Sequence, residues 1–399
     1  MGLGADRYFF ALRDDGSFRV RVADSHLPYD IISCIGHMRP NAVGRRHDMQ
    51  LRPFYATIPA DGRAAEAMAR LDWPCAGRAD ARRALSELGE KGDAPKVKRP
   101  SILAYRLCCS GHDDAWGLLG VVPCSEYRTG ELLVHEQTLV KTVETRTRYL
   151  ESVGLQSGPV LLAGSGDAVH HALGLARSSV SDETPLTEIV GADRSDTLWA
   201  LPEDVTTNIR ALLAKADRPL VADGHHRAKA TAAVCDDMLV ALFDESDFTV
   251  GACERKLSGA PHRALLSSAL SEHGILVTPS DGETPATRHA KLYDGQSWCD
   301  LDLNEADELT SDSRLLQDRV LSPVFDVADP TTDERLECLP ACATADQAAA
   351  LAGPNEIVFR LRPANLSDVR TMAESGILMP PKTTWFEPKP LPGLVIRSL

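Results

Sequence analysis

The order of strand-like and helix-like segments predicts a mixed fold, α/β in the middle of the chain with α+β regions at both ends. Three apolar runs have the length and composition of buried strands: residues 159–163, 220–222 and 238–243. Helical patterns at residues 141–153 and 202–213 alternate with these runs. Because strands that alternate with helices commonly form one compact α/β unit, we predict a middle domain at residues 126–280.

Residues 1–125 are predicted to form an N-terminal α+β region. Residues 8–12 and 18–22 flank the Asp-Asp-Gly sequence at 14–16, which is typical of a hairpin turn. The other predicted elements of this region are a short helix or turn at 28–32, helices at 64–71 and 78–88, and strands at 102–108 and 116–122.

Further helices, strands and loops are predicted in the rest of the middle domain. The same holds for the C-terminal α+β region, residues 281–399. Pro202 is followed by two acidic residues, which suits the first position of a helix. Pro323 is expected to end a helix at 315–321, because a proline inside a helix removes a backbone hydrogen bond. The other predictions are a strand at 130–134, a helix beginning near 170, a loop at 178–188, a helix around 265–270, surface loops at 281–287 and 304–313, a strand at 356–361, and a helix at 366–374 that Gly376 ends.

Composition excludes several classes of protein. The chain has 399 residues, of which 43% are hydrophobic and 25% charged, as in ordinary globular domains. A net charge of −14 and an aromatic content of 5% argue against nucleic acid or an anionic membrane as the main partner. No apolar run approaches the roughly 18 residues of a membrane span or forms a signal peptide. The ten cysteines include no Cys-x-x-Cys pair, which disfavours a zinc ribbon. We therefore expect a cytoplasmic protein, and its oligomeric state stays open.

The sequence Asp-Gly-His-His-Arg at 223–227 lies where a buried strand leads into an alanine-rich helix. The free amide groups and the dipole of a helix N-terminus favour an anion at such a position. Gly224 interrupts the strand, His225 and His226 add hydrogen-bond donors, and Arg227 can bind a phosphate through two hydrogen bonds. We interpret the turn as a phosphate site. The alternative is a capped turn with surface histidines.

Four motifs carry a resemblance to a known family. They are Pro-Tyr-Asp-Ile-Ile at 28–32, Val-His-Glu-Gln-Thr-Leu at 134–139, Ala-Asp-Gly-His-His-Arg at 222–227, and Met-Pro-Pro-Lys-Thr-Thr-Trp-Phe at 379–386 with Gly393 and Leu394. In this order they resemble the domain-of-unknown-function family 1015, whose members are similar to the free serine kinases. The resemblance spans nearly the whole chain. It implies a ParB/sulfiredoxin-like nucleotide-binding core at 126–280, with the Pro-Pro-Lys-Thr-Thr motif in the C-terminal region.

The resemblance implies a nucleotide-dependent kinase that phosphorylates the hydroxyl of a small molecule, such as serine or a related hydroxy acid. It gives Glu136 a catalytic role and assigns Asp223, His225, His226 and Arg227 to the phosphates of ATP or ADP. Asp223 is a second catalytic candidate, because its carboxylate can hold Mg²⁺. Lys382 and Thr383 are expected to contact the nucleotide. The candidates for substrate contacts are His135, Asp30 and Arg255.

Each of these residues has a simpler interpretation. Glu136 and Lys382 can be ordinary exposed side chains, which most glutamates and lysines are. Asp223 can hold Mg²⁺ or can cap the following helix. His225 and His226 can be zinc ligands, although neighbouring histidines rarely point at one metal and no third or fourth ligand lies at a known spacing.

Two functions follow from this reading. Phosphoryl transfer to a hydroxyl needs an acceptor for the proton, positive charge around the phosphates, and alignment of the reactants. The alternative is a nucleotide-binding regulatory or interaction protein without phosphoryl transfer. Glu136 together with the turn at 223–227 favours the kinase, because a protein that only binds nucleotide needs no base. A DNA-associated ParB-like role is disfavoured by the acidic balance and by the lack of a basic helix-turn-helix pattern.

Overall fold

The computed structural model describes residues 8–12, 18–22, 49–71, 78–259, 263–303, 310–339 and 342–399. The chain divides into two units, residues 1–39 and residues 40–399. In the first unit, β1 (Tyr8–Leu12) and β2 (Phe18–Val22) pair antiparallel, with Leu12 opposite Phe18, and confirm the predicted hairpin. The turn predicted at 28–32, which contains Asp30, lies outside the described residues.

Seventeen further strands are described in the second unit. They are β3 (Leu103–Cys109), β4 (Ala115–Pro123), β5 (Leu155–Gln156), β6 (Val160–Gly164), β7 (Thr187–Val190), β8 (Arg194–Ala200), β9 (Leu220–Asp223), β10 (Asp237–Asp244), β11 (Thr249–Gly251), β12 (Glu254–Ser258), β13 (Leu276–Ser280), β14 (His289–Tyr293), β15 (Trp298–Asp302), β16 (Leu336–Leu339), β17 (Glu356–Leu361), β18 (Trp385–Glu387) and β19 (Arg397–Ser398). The described helices are α1 (Gly62–Ala69), α2 (Arg78–Glu90), α3 (Cys124–Thr129), α4 (Val140–Val153), α5 (Gly166–Ser179), α6 (Glu203–Leu213), α7 (His225–Val234), α8 (Arg263–Glu272), α9 (Asp312–Leu316), α10 (Ser322–Phe325), α11 (Ala345–Ala349) and α12 (Leu366–Glu374). These elements confirm the predicted mixed class of α/β and α+β structure.

A seven-stranded mixed sheet forms the main core, in the order β7-β8-β3-β4-β10-β6-β9. The strand β10 runs parallel to β6 and antiparallel to β4, and its apolar residues are buried on both faces of the sheet. Leu239 and Phe243 pack on one face with α12, whereas Val240 and Leu242 pack on the other with α5 and α6. A strand covered on both faces reads as a continuous apolar run, which is why the sequence identified β10.

A second sheet has six antiparallel strands in the order β13-β15-β14-β17-β12-β16. Its buried face packs against α8 and α9 through a separate apolar cluster. The C-terminal segment returns toward earlier strands, since β18 pairs with β11 and β19 pairs with β5. Within the described residues, no helix combines the length and the apolarity needed to cross a bilayer.

Three local predictions need correction. Residues 130–134 form no strand, and only Leu133 makes an isolated parallel bridge, to Leu220. The predicted loop at 178–188 ends earlier, because β7 begins at Thr187. Pro323 does not end its helix, since a π-helical turn (Gln317–Leu321) leads directly into α10, where the proline occupies the first turn. A first-turn proline is tolerated because its missing N–H has no helical partner there.

The main sheet combines β3 and β4, which come from the predicted N-terminal region, with strands of the predicted middle domain. The domain boundaries near residues 125 and 280 stay a prediction.

The tail motif continues to Gly393, where the chain passes close to α1. Gly393 has φ of +78°, and a Cβ atom there would overlap the Ala65 carbonyl and lie 3.0 Å from the Ala69 Cα. Gly92 has almost the same φ, +79°, but a Cβ there would meet nothing within 4 Å. The two glycines therefore share the backbone strain of a substitution but differ in the steric clash.

We predict that Gly393→Ala lowers the free energy of unfolding more than Gly92→Ala does. Left-handed backbone costs an alanine about 1–2 kcal/mol at either position. Overpacking adds typically 1–3 kcal/mol at Gly393 alone. Urea unfolding followed by circular dichroism measures both variants, and equal losses would show that α1 does not constrain the tail.

Candidate functional site

The Asp-Gly-His-His-Arg turn joins β9 to α7, as the sequence predicts. Gly224 lies between them with φ of +94°, a left-handed conformation that glycine adopts without strain. Its carbonyl accepts a hydrogen bond from the Ala228 amide at 2.7 Å, which closes the first turn of α7. The Asp223 side chain does not cap this helix, so the capping interpretation is wrong. Asp223 instead pairs with Lys389, whose Nζ lies 2.7 Å from Oδ1.

The His-Glu pair is held by the C-terminal tail. The Met379 amide donates to the His135 carbonyl at 2.8 Å, and the Gln137 amide donates to the Met379 carbonyl at 2.9 Å. Glu136 is 7% exposed, and its Oε2 accepts hydrogen bonds from the amides of Thr383 at 3.0 Å and Thr384 at 3.5 Å. Glu136 is therefore a buried carboxylate between two distant parts of the chain, and its interpretation as a surface glutamate is wrong.

Arg255 holds the backbone of the tail through hydrogen bonds to two of its carbonyls. This buried arginine donates to the Lys382 carbonyl at 2.7 Å and to the Pro381 carbonyl at 3.0 Å. Lys382 has φ of +57°, which turns the chain so that the two threonine amides face Glu136. The Thr383 hydroxyl lies 2.7 Å from the Pro380 carbonyl and 2.9 Å from the Ser313 hydroxyl. The bonds of Arg255 thus position the tail, and its substrate contact stays a prediction.

The three histidines of the site are buried and neutral. Burial, together with the neighbouring His225, lowers the pKa of His135 to about 3. Burial likewise lowers the pKa of His225 to about 3 and that of His226 to about 4. Nε2 of His226 accepts a hydrogen bond from the Leu139 amide at 2.8 Å, which requires that this nitrogen carry no proton. The alternative of surface histidines is wrong, and the rings supply no positive charge for a phosphate.

Lysine and arginine side chains supply the positive charge instead. Burial by itself raises the pKa of Asp223, but the ammonium of Lys389, with Arg227 and Lys382, outweighs it and lowers this pKa. The Lys389 ammonium also lies 3.6 Å from the centre of the Trp385 ring, in a cation–π contact. Arg227 donates to the Pro159 carbonyl at 2.8 Å. Within the described ranges, no carboxylate forms an ion pair with Lys382.

One cavity of about 250 Å³ collects most of the predicted site residues. Its lining consists of Glu136, Leu139, Thr142, Arg146, Ala222, Asp223, Gly224, His225, His226, Arg227, Lys382, Thr384, Trp385 and Lys389. His135, Thr383 and Arg255 are buried residues outside this lining, and Asp30 lies outside the described residues. Apart from Thr383, whose hydroxyl bonds to Ser313 and to the Pro380 carbonyl instead, the predicted nucleotide and catalytic residues are thus brought together. Nearly 250 residues separate Glu136 from Lys382.

Sequence reasoning missed five polar or aromatic residues of this cavity: Thr142, Arg146, Thr384, Trp385 and Lys389. Three of them belong to the tail motif or follow it closely, so the motif itself was an available signal. Arg146 resembles any other basic residue of α4, such as the exposed Arg148, and no pattern distinguishes it.

The sequence and the fold are both similar to those of known proteins. Residues 75–278, just over half of the chain, match a family described as "Protein of unknown function (DUF1015)". The chain belongs to this family. The matched residues include Glu136 and the turn at 223–227, whereas the tail motif at 379–386 follows them. The resemblance read from the four motifs is thereby confirmed, and a search of curated proteins found no match.

Three solved structures are similar at low identity. SbnI with a C-terminal truncation, from Staphylococcus aureus, is 14% identical with a TM-score of 0.40, covering 69% of this chain and 85% of its own. A mutant free serine kinase in complex with ADP is 13% identical with a TM-score of 0.40, covering 70% and 90%. A conserved hypothetical protein from Pyrococcus furiosus is 15% identical with a TM-score of 0.40, covering 69% and 92%.

We predict that Arg255→Met lowers the free energy of unfolding by about 2–4 kcal/mol, because it leaves two buried carbonyls without their charged donor. Methionine keeps much of the side-chain volume. The control is Arg335→Met, which removes an exposed ion pair with Asp333 and is expected to cost at most about 1 kcal/mol. Urea unfolding compares the variants, and losses of equal size would contradict the anchoring role of Arg255.

Proposed function

We propose that this protein is a nucleotide-dependent kinase that phosphorylates the hydroxyl of a small molecule such as serine or a related hydroxy acid. The observation that carries the proposal is the meeting of a buried carboxylate, a helix N-terminus and several basic side chains in one cavity. Phosphoryl transfer depends mainly on such positioning and charge. The resemblance of the motifs at 134–139 and 222–227 to those of the free serine kinases supports the same reaction class.

The phosphates would bind between the N-terminus of α7 and the lysines of the tail. The first-turn amides of α7 and the ammonium groups of Lys382 and Lys389 offer donors to an anion from two sides. At about 250 Å³ the cavity is smaller than the roughly 300–1,000 Å³ of typical small-molecule sites. We therefore assign it to the phosphates of ATP or ADP and to the acceptor hydroxyl, with the nucleoside extending beyond it.

Asp223 suits Mg²⁺, because this ion commonly binds one or two carboxylates together with phosphate oxygens. It is a carboxylate that lines the cavity and is partly exposed to it. Bound Mg²⁺ would supply charge that the transferred phosphoryl group requires. Lys389, which now balances the charge of Asp223, would then turn toward the phosphates.

Glu136 is the candidate base on the acceptor side. Its Oε2 is occupied by the two threonine amides, so the acceptor proton would go to Oε1. Because the carboxylate is already held in one orientation, no further conformational entropy of this side chain is lost when the acceptor binds.

A nucleotide-binding regulatory or interaction protein without transfer is the second candidate. The Asp223–Lys389 ion pair favours it, because this contact already neutralises the carboxylate that Mg²⁺ would need.

We predict that Glu136→Gln lowers phosphoryl transfer by about 10²-fold or more, within the usual range for a general base. ATP and ADP affinity should change little, because glutamine keeps an oxygen for the threonine amides. Transfer is measured by screening hydroxy amino acids and hydroxy acids with either nucleotide. Glu144→Gln, on the exposed side of α4, serves as the control. Transfer at wild-type rate in Glu136→Gln would exclude the base role, and nucleotide binding without transfer in the wild type would favour the regulatory protein.

We predict that Lys382→Met weakens ATP or ADP binding by roughly tenfold, the effect of losing one charge-assisted hydrogen bond. Lys382 is a cleaner probe than Arg227, because Arg227 also holds the Pro159 carbonyl. The matched control is Lys229→Met, on the exposed side of α7. Titration calorimetry compares the three proteins, and equal affinities would remove Lys382 from the phosphate site.

A further inference from the structure

A cluster of three metal-binding side chains lies beside the proposed phosphate site. One ring nitrogen each of His135 and His225 and one carboxylate oxygen of Glu136 lie within 4.8 Å of one another. All three residues are buried, with exposures of 0% for His135, 5% for His225 and 7% for Glu136. His226, the sequence neighbour of His225, is not part of the cluster, because its Nε2 is directed to the Leu139 amide.

Two ring nitrogens of this cluster lack the partners that buried polar atoms require. Nδ1 of His135 and Nε2 of His225 are buried and form no hydrogen bond within the described residues. The Val221 backbone lies near the His135 ring, outside ordinary hydrogen-bond geometry for Nδ1. Unpaired buried nitrogens are costly, and the centres of the two rings that carry them lie only 4.4 Å apart, which favours a ligand shared by both rings.

We propose that His135, Glu136 and His225 bind a divalent transition-metal ion, with zinc, iron or manganese as the chemical class. Two imidazoles and one carboxylate are a donor set that these ions prefer, whereas Mg²⁺ prefers oxygen ligands. In a tetrahedral zinc site with bonds near 2.0–2.1 Å, ligand atoms lie about 3.3 Å apart. The three donors therefore need to approach one another by about 1.5 Å at most.

The surroundings of the cluster resemble an outer coordination shell. Nε2 of His135 lies 2.9 Å from the Thr384 hydroxyl, and the Glu136 carboxylate accepts the amides of Thr383 and Thr384. Such bonds orient metal ligands and keep them from turning away. Three protein ligands leave at least one coordination position open, and Glu136 and His225 also line the cavity.

The metal site goes beyond the proposed kinase, because the ion should bind without nucleotide and whether or not phosphoryl transfer occurs. An ion held by Glu136 would take that oxygen away from the acceptor proton. The two roles of Glu136 therefore compete for one oxygen, but their tests are separate, since the metal site is tested by binding alone and the base role by phosphoryl transfer.

The test uses the untagged full-length protein, freed of metal with a chelator and titrated with ZnCl₂ by calorimetry and with CoCl₂ by visible absorption. We expect one ion per chain in the wild type and in His171→Gln, an exposed histidine on α5. His225→Gln should lower the affinity by about 100-fold or more and remove the cobalt band, since loss of an outer-shell partner alone costs 10–100-fold. Millimolar MgCl₂ should not compete.

His135→Gln provides a second variant if His225→Gln fails to fold. X-ray absorption of the zinc-loaded wild type needs no variant, and it should reveal two imidazole ligands per ion. The proposal is overturned by any of three results: no stoichiometric binding in the wild type, equal affinity in His225→Gln and His171→Gln, or fewer than two imidazoles at the bound zinc.

Discussion

The buried carboxylate of Glu136 is the constraint on which the site depends. A carboxylate that leaves water must be paired or hydrogen-bonded, or its pKa rises and it becomes neutral. Here the amides of Thr383 and Thr384 meet that requirement, and the parallel bridge between Glu136 and Met379 holds them in register. The C-terminal tail is therefore a structural part of the site, because without it the carboxylate would lose its donors.

The constraint extends to the backbone of Lys382 and to Arg255, which binds its carbonyl. Lys382 keeps a left-handed backbone conformation that costs a lysine of order 1–2 kcal/mol, and Arg255 offsets this cost through its bonds to two carbonyls. The same turn brings the Lys382 side chain to the cavity while its carbonyl faces Arg255. One backbone conformation thus gives Glu136 its two amide donors and brings the Lys382 side chain to the cavity.

The sequence predicted those features that depend on residues close together in the chain. The turn at 223–227 was predicted because a strand, a glycine and a helix follow one another directly, and β10 because it is continuously apolar. Burial of His225 and His226 was not predictable, since His225 packs against the His135 ring and His226 accepts the Leu139 amide, and both partners are distant in the chain. Most strands of the antiparallel sheet were missed for another reason, although β17 was predicted. The edge strand β13 contains Pro279 and is largely exposed, so it has neither a continuous apolar run nor a clear alternation.

The cavity is lined by more cationic than anionic side chains, whereas the chain as a whole is acidic. Arg146, Arg227, Lys382 and Lys389 line the cavity together with only two carboxylates, Glu136 and Asp223, and the neutral histidines add no charge. The chain as a whole carries −14 and would repel an anionic nucleotide at long range. At physiological ionic strength this repulsion is screened beyond about 8 Å, whereas partly buried charges close to the ligand are screened much less. Affinity for an anion is therefore set by the few cations inside the cavity. An acidic overall composition, which argues against a nucleic-acid surface, is for this reason compatible with a site for phosphates.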